Sequence, residues 1–174
     1  MRTRTLLLPA VVVTILPIWL WSAAGAERTP APARLVSVPV TDDRRSPEAR
    51  ALGVLRRWDA RRAAAWSTGD PAALARLYVP GSRTGAEDVA DLRRWVRRGL
   101  RVTGLHQQVA SLLLAHWSAH RVVALVTDRT VDGVAVGARR RTAVPVSAWA
   151  THRVFLLQVD DSWRVAEAVD QPAR

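Results

Sequence analysis

The chain contains no cysteine and no lysine. Without cysteine there is no disulfide, no thiolate metal site and no lipid-modified cysteine behind an export signal, so packing alone must hold the fold. Without lysine, all 26 basic side chains are arginine, set against 15 acids for a formal charge of +11. A field of that sign favours phosphate-bearing partners such as lipid headgroups, envelope polymers or nucleic acid. The arginines are scattered, however, with a run of three only at Arg139, Arg140 and Arg141. That spread reads as a solvated face, and contact with anionic lipid or envelope polymer is expected to be weak. Several catalytic motifs are also missing. Gly81-Ser82-Arg83-Thr84-Gly85 lacks the Gly-Lys-Ser/Thr ending of a phosphate loop, and Ser82 lacks the Gly-x-Ser-x-Gly frame of a nucleophile elbow. His116 and His120 have the spacing of a helical zinc motif, but Trp117 stands where its glutamate belongs and the local pattern is a strand turn. His106 and His152 stand alone on strand patterns and read as ordinary sheet residues. No metal and no cofactor is expected.

What is present begins with an export segment. Arg2 and Arg4 precede an apolar run from Leu6 to Trp21, followed by small residues ending in Ala24-Gly25-Ala26. As a helix the run reaches roughly 24 Å, short of a hydrocarbon core of ~30 Å, and about 31 Å if extended to Ala26. A cleaved signal peptide and a retained membrane anchor both fit residues 1–26. Either way the positive residues precede the span, so the remainder is expected outside the cytoplasmic membrane, secreted or anchored. No nucleic-acid partner is expected there. Residues 27–46, with Pro30, Pro32 and Pro39, read as a flexible tether.

One domain is expected over 47–170, with 171–174 a short tail. Ser46-Pro47-Glu48 supplies an N-cap, a first-position proline and a first-turn acid for a helix running to about Thr68. Leu52, Leu55, Trp58, Ala65 and Trp66 form its apolar stripe, with Arg56, Arg57, Arg61 and Arg62 mostly off it. Gly69 stops this helix and Asp70-Pro71 starts a short second one. Thr84 and Glu87 suggest a capping box for a third, which Gly99 ends. From Leu100 the pattern alternates as strands do. Val109, Ser111, Leu113 and Ala115 are expected on one strand face, and Val122, Ala124 and Val126 on the inner face of the next. Asp132-Gly133 reads as a hairpin turn, and Asp160-Asp161-Ser162 joins a closing hairpin. Helices first and then an antiparallel meander give an α+β fold, three helices packed on a curved, mostly antiparallel sheet.

The run Trp66-Ser67-Thr68-Gly69-Asp70-Pro71, then Leu77-Tyr78-Val79-Pro80-Gly81-Ser82, Gly85-Ala86 and Trp95, and a closing Trp163-Arg164-Val165, resembles the nuclear transport factor two-like (SnoaL-like) superfamily over about residues 48–170. The likeness is strongest to its exported actinobacterial members. The resemblance implies a cystatin-like cone whose mouth holds a pocket, in a superfamily of isomerases, cyclases, dehydratases and non-catalytic adaptors. It also implies pairing through the outer sheet face, as a homodimer or with another envelope protein.

Isomerase-like members carry a base on the segment after the Leu-Tyr helix end, but here Val79 to Thr84 holds no acid, and Glu87 and Asp88 read as first-turn helix acids. The remaining candidates for acid–base work are Asp128 and Glu167 on strands, and His116. Trp66, Tyr78, Trp95 and Trp117 are candidates to line a pocket, against the alternative that they are core. No convergent catalytic set is apparent. The leading expectation is a non-catalytic domain for protein association or small-ligand binding at the cell envelope; the alternative is a SnoaL-like enzyme acting on a small hydrophobic substrate.

Overall fold

The structure, a computed structural model, describes residues 46–171. The residues expected to form an export segment and a tether, up to residue 45, and the last three residues lie outside the described residues.

Ser46 caps α1 (Pro47–Thr68), its side chain accepting the Ala49 N–H, and Gly69 ends the helix in the left-handed region at φ 69°. Asp70 turns the chain straight into α2 (Pro71–Ala75) by accepting the N–H groups of Ala72 and Ala73. The third helix, α3 (Arg83–Arg97), starts differently from the sequence expectation. Its cap is Ser82, which accepts the Gly85 N–H, and the first turn holds no acid of its own. Thr84 is drawn instead to Glu167 on the last strand, donating its hydroxyl to Oε2 at 2.8 Å. Glu87 is exposed and Asp88 is buried.

Seven strands follow: β1 (Arg101–Thr103), β2 (His106–Trp117), β3 (Arg121–Val131), β4 (Val134–Val136), β5 (Arg141–Ala143), β6 (Ala150–Val159) and β7 (Ser162–Asp170). They form a four-stranded sheet in the order β2-β3-β6-β7 and a three-stranded one in the order β1-β4-β5, with every strand pair antiparallel. Asp132-Gly133 is therefore a bend rather than a hairpin. At this point β3 passes into β4 while β1 passes into β2 beside it, so both strands leave one sheet for the other together. Gly104 makes the double bend possible: it sits at φ 73°, and a Cβ there would lie 2.9 Å from the Asp132 carbonyl oxygen. Asp160 and Asp161, both at positive φ, close the β6–β7 hairpin in two residues.

The inner face of β3 is as the alternation predicts, with Val122, Ala124 and Val126 buried. That of β2 is not. Register shifts between Val109 and Ser111 and between Leu114 and His116 each insert a residue, and an inserted residue reverses the alternation beyond it. Val109, Leu112, Leu114 and Trp117 consequently pack against the core. Ser111, Leu113 and Ala115 face outward, and Leu113 is 68% exposed.

The sheet curves round the helices, α1 lying against β1 and β2 and α3 against β7. Trp66, Leu74, Leu92 and Leu156 are fully enclosed. One charged pair sits among them. Arg62, which the stripe would leave outside, is 3% exposed and grips Asp88 on α3 with two bonds of 2.7 Å, Nε to Oδ2 and a terminal nitrogen to Oδ1. The same carboxylate accepts Trp66 Nε1–H at 3.2 Å and the Tyr78 hydroxyl at 2.7 Å. Burial lowers the affinity of the Arg62 guanidinium for its proton, but Asp88 outweighs burial and holds it firmly charged. Burial, and then the neighbouring Asp88, push the Tyr78 hydroxyl well above its usual range. Gly85 leaves room for this arrangement, since a Cβ there would meet the Tyr78 ring at 2.5 Å.

Candidate functional site

The inner faces of β3 and β6 are apolar for most of their length and end in polar residues. On β3 the buried series Val122, Ala124, Val126 continues two residues on to Asp128, whose side chain is 14% exposed. On β6 the series Leu156, Val154 continues to His152. The register sets His152 opposite Val126 and Asp128 opposite Ala150, which brings His152 Nε2 to 3.5 Å from Asp128 Oδ1. The other ring nitrogen, Nδ1, lies 2.7 Å from Oδ1 of Asp170 near the end of β7. Burial pushes the imidazole down, but the contacts with Asp128 and then Asp170 outweigh it, and the net shift is upward.

Asp59 faces the pair from α1. It follows Trp58 and accepts the Gln107 N–H at 2.9 Å, which ties the helix to the start of β2. Burial pushes its carboxyl up, against the opposing pull of the Gln107 bond and of Arg62. The Trp58 ring beside it is fixed by donating Nε1–H to the Leu77 carbonyl at 3.0 Å.

These groups meet at one cavity of about 50 Å³, where Asp59, Asp128 and His152 are set among Leu55, Trp58, Val154 and Val165. A second cavity of about 50 Å³ adjoins it, sharing Gln107, Asp128 and His152 and walled further out by Thr130, Ser147 and Ala148. An imidazole and a carboxyl, each with its affinity for a proton raised and both set in an apolar wall, are groups that can donate and accept a proton.

No family model matches the chain, and no curated protein matches it. Among solved structures the chain is similar to the intermembrane space region of the chloroplast protein ARC6, with 14% identity over 74% of this chain and 99% of that one and a TM-score of 0.49. It is similar to Aln2 from a Streptomyces species, with 17% identity over 72% of this chain and 91% of that one and a TM-score of 0.49. A domain with a cystatin-like fold from Nostoc punctiforme shares 14% identity over 71% of this chain and 77% of that one, with a TM-score of 0.43. The likeness is one of fold alone.

Of the residues singled out in the sequence, Asp128 lines the cavity and His116 does not; His116 is exposed near the end of β2. Glu167 is occupied at the start of α3, where Arg83 N–H, Thr84 N–H and the Thr84 hydroxyl all donate to it. Burial raises its carboxyl, but these donors together outweigh burial and hold its pKa below the usual value. Trp66, Tyr78 and Trp95 are core residues, Trp66 lying edge-on to Trp95 at 6.3 Å. Trp117 is half-buried against Trp163 at 6.0 Å, with Arg50 over its ring. None of the four lines the cavity. His152, read as an ordinary sheet residue, and Asp59, not singled out, do line it. Ionisable residues from separate elements meet at this cavity and at the Arg62–Asp88 pair, although their spacing in the sequence does not bring them together.

Among the described residues no cluster of His, Cys, Asp or Glu is arranged to hold a metal ion.

Proposed function

We propose that this is an exported domain that takes a small uncharged organic molecule by its carbonyl or hydroxyl end and moves a proton on it, as isomerase-, cyclase- or dehydratase-type SnoaL-like enzymes do. The observation that carries the reading is the meeting of Asp59, Asp128 and His152, from three separate elements, at one apolar-walled cavity. His152, held by Asp170 at Nδ1, is the group that turns its Nε2–H from Asp128, 3.5 Å away, to a ligand oxygen. Asp59, which burial holds closer to neutrality, is the group that accepts or returns the proton. A dry cavity of roughly 150 Å³ takes a benzene ring. The volume of about 50 Å³ here suits a functional group, with the body of the ligand lying in the adjoining cavity by Ser147 and Ala148. The same small volume favours a second reading, capture of the ligand without turnover.

The test is a titration with small ketones, from acetone to cyclohexanone, followed by NMR at the Trp58 indole N–H. Binding is expected in the wild-type chain and at least tenfold weaker in His152→Gln and in Asp59→Asn, with both variants still folded. Binding unchanged in both variants would contradict the assignment. Turnover of a bound ketone, read as exchange of its α-protons with solvent, separates the enzyme from the capture reading.

The location is part of the proposal and rests on Arg2 and Arg4 before the apolar run. A reporter active only outside the cytoplasmic membrane, fused after residue 46, is expected to be active. Activity instead from a reporter that works only in the cytoplasm would refute the location.

A further inference from the structure

A groove of about 450 Å³ runs between the second half of α1, α2 with the residues that follow it, and the start of β7. It shares no lining residue with the cavities described above. Its volume lies in the range of small-molecule pockets, about 300–1,000 Å³. One wall follows from helical spacing, because Arg61 and Ala65 are four residues apart and so lie on one face of α1. Arg76 and Leu77 follow α2, and Trp163 and Arg164 open β7. Three arginines therefore line one concavity, and no acid is among the residues lining it.

The three are not equivalent. Arg61 and Arg76 are exposed and have no ion-pair partner among the described residues. Arg164 gives one terminal nitrogen to Asp160 at 2.9 Å, an acid on the open turn of its own hairpin. Its Nε–H is buried without a partner, the only side-chain nitrogen or oxygen so placed among the described residues. A donor so enclosed meets no ligand itself, so Arg164 faces the groove's contents through its terminal nitrogens. Guanidinium groups match oxyanions in geometry as well as charge. Leu77, buried, and Trp163, half-buried against Trp117, give the groove an apolar part that an inorganic anion would leave unused.

We propose that this groove binds an amphiphilic organic anion, a free monomer with a phosphate or carboxylate head and a short apolar body. The head lies among Arg61, Arg76 and Arg164, and the body lies on Leu77 and Trp163. The site is independent of the acid–base cavity and stands whether or not that cavity turns over a substrate.

The probe is octyl phosphate, held below its micelle concentration and titrated into the full-length chain by calorimetry and by NMR of the indole N–H groups. Inorganic phosphate, uncharged octyl glucoside and vesicles containing anionic lipid serve as comparisons. Octyl phosphate is expected to bind at least tenfold more tightly than inorganic phosphate or octyl glucoside. Its affinity is expected to fall at least tenfold in the double variant Arg61→Gln/Arg76→Gln, whose thermal midpoint stays that of the wild type because both side chains are exposed. Arg164→Gln is expected to weaken binding to a similar degree. Should that variant fail to fold, the double variant carries the test alone. The proposal is overturned if the double variant binds octyl phosphate as the wild type does. It is also overturned if inorganic phosphate binds as tightly as octyl phosphate, or if vesicles alone retain the protein.

Discussion

Asp88→Ala is expected to destabilise the domain by about 3–5 kcal/mol, the cost of leaving a buried charge without its partner. The size follows from how completely Asp88 is used. Its two oxygens accept from Arg62 Nε, an Arg62 terminal nitrogen, Trp66 Nε1 and the Tyr78 hydroxyl, and its removal orphans all four donors at once. Arg62 is 3% exposed and cannot reach water without disturbing the core around Trp66. For a domain of this length the loss corresponds to a fall of roughly 10–20 °C in thermal midpoint. Glu87→Ala, one residue away and exposed, is expected to stay within about 0.5 kcal/mol of the wild type. Thermal and urea melts of the two variants decide the matter. A near-neutral Asp88→Ala would mean that the Arg62–Asp88 grip is not what joins α1 to α3.

The helices were legible because their ends are spelled out in local chemistry. Ser46-Pro47, Gly69 and Asp70-Pro71 act within a turn of themselves, and the structure uses each as the sequence suggests. The sheet was legible where alternation runs unbroken, as in Val122, Ala124 and Val126. It was not at Ser111, Leu113 and Ala115, since a bulge is decided by the partner strand and leaves no mark in a single run of residues. Asp132-Gly133 has the chemistry of a tight turn, and the structure spends it on a bend because β1 and β2 lie alongside to receive the strands.

The polar groups were harder to read, and for one reason. Its charge makes Arg62 read as off the α1 stripe, although it lies four residues from both Trp58 and Trp66 and so in the same column of the helix. Its partner Asp88 reads locally as a helix-end acid, because nothing local reveals that its side chain meets Arg62 of α1. Asp128 and His152 can each be reached by extending a buried series by two residues, Val122 to Val126 forward and Leu156 to Val154 backward. That extension is the signal that would have paired them. Asp170 stands opposite His152 only because the irregularity beside Phe155 shifts the β6–β7 register by one residue, and Asp59 on α1 meets the pair through tertiary packing; neither leaves a local signal.

The acid–base cavity is tested most directly by an NMR pH titration of His152 in the wild-type chain, in Asp128→Asn and in Asp170→Asn. Burial alone would depress the imidazole, and the two carboxylates reverse that effect, so wild-type His152 is expected to titrate above the ordinary value of about 6.5. Each variant is expected to lower it, Asp128→Asn the more, and removal of both carboxylates to bring it below 6.5. Linkage gives the same experiment a second readout. A histidine whose pKa is raised by folding contributes stability that is fully present below about pH 6.5 and is lost as the pH rises through the raised value. Wild-type stability is expected to decline over that window, and Asp128→Asn to flatten the decline. A wild-type His152 that titrates at or below 6.5 and does not move in Asp128→Asn would contradict the assignment of this cavity as a proton-transfer site.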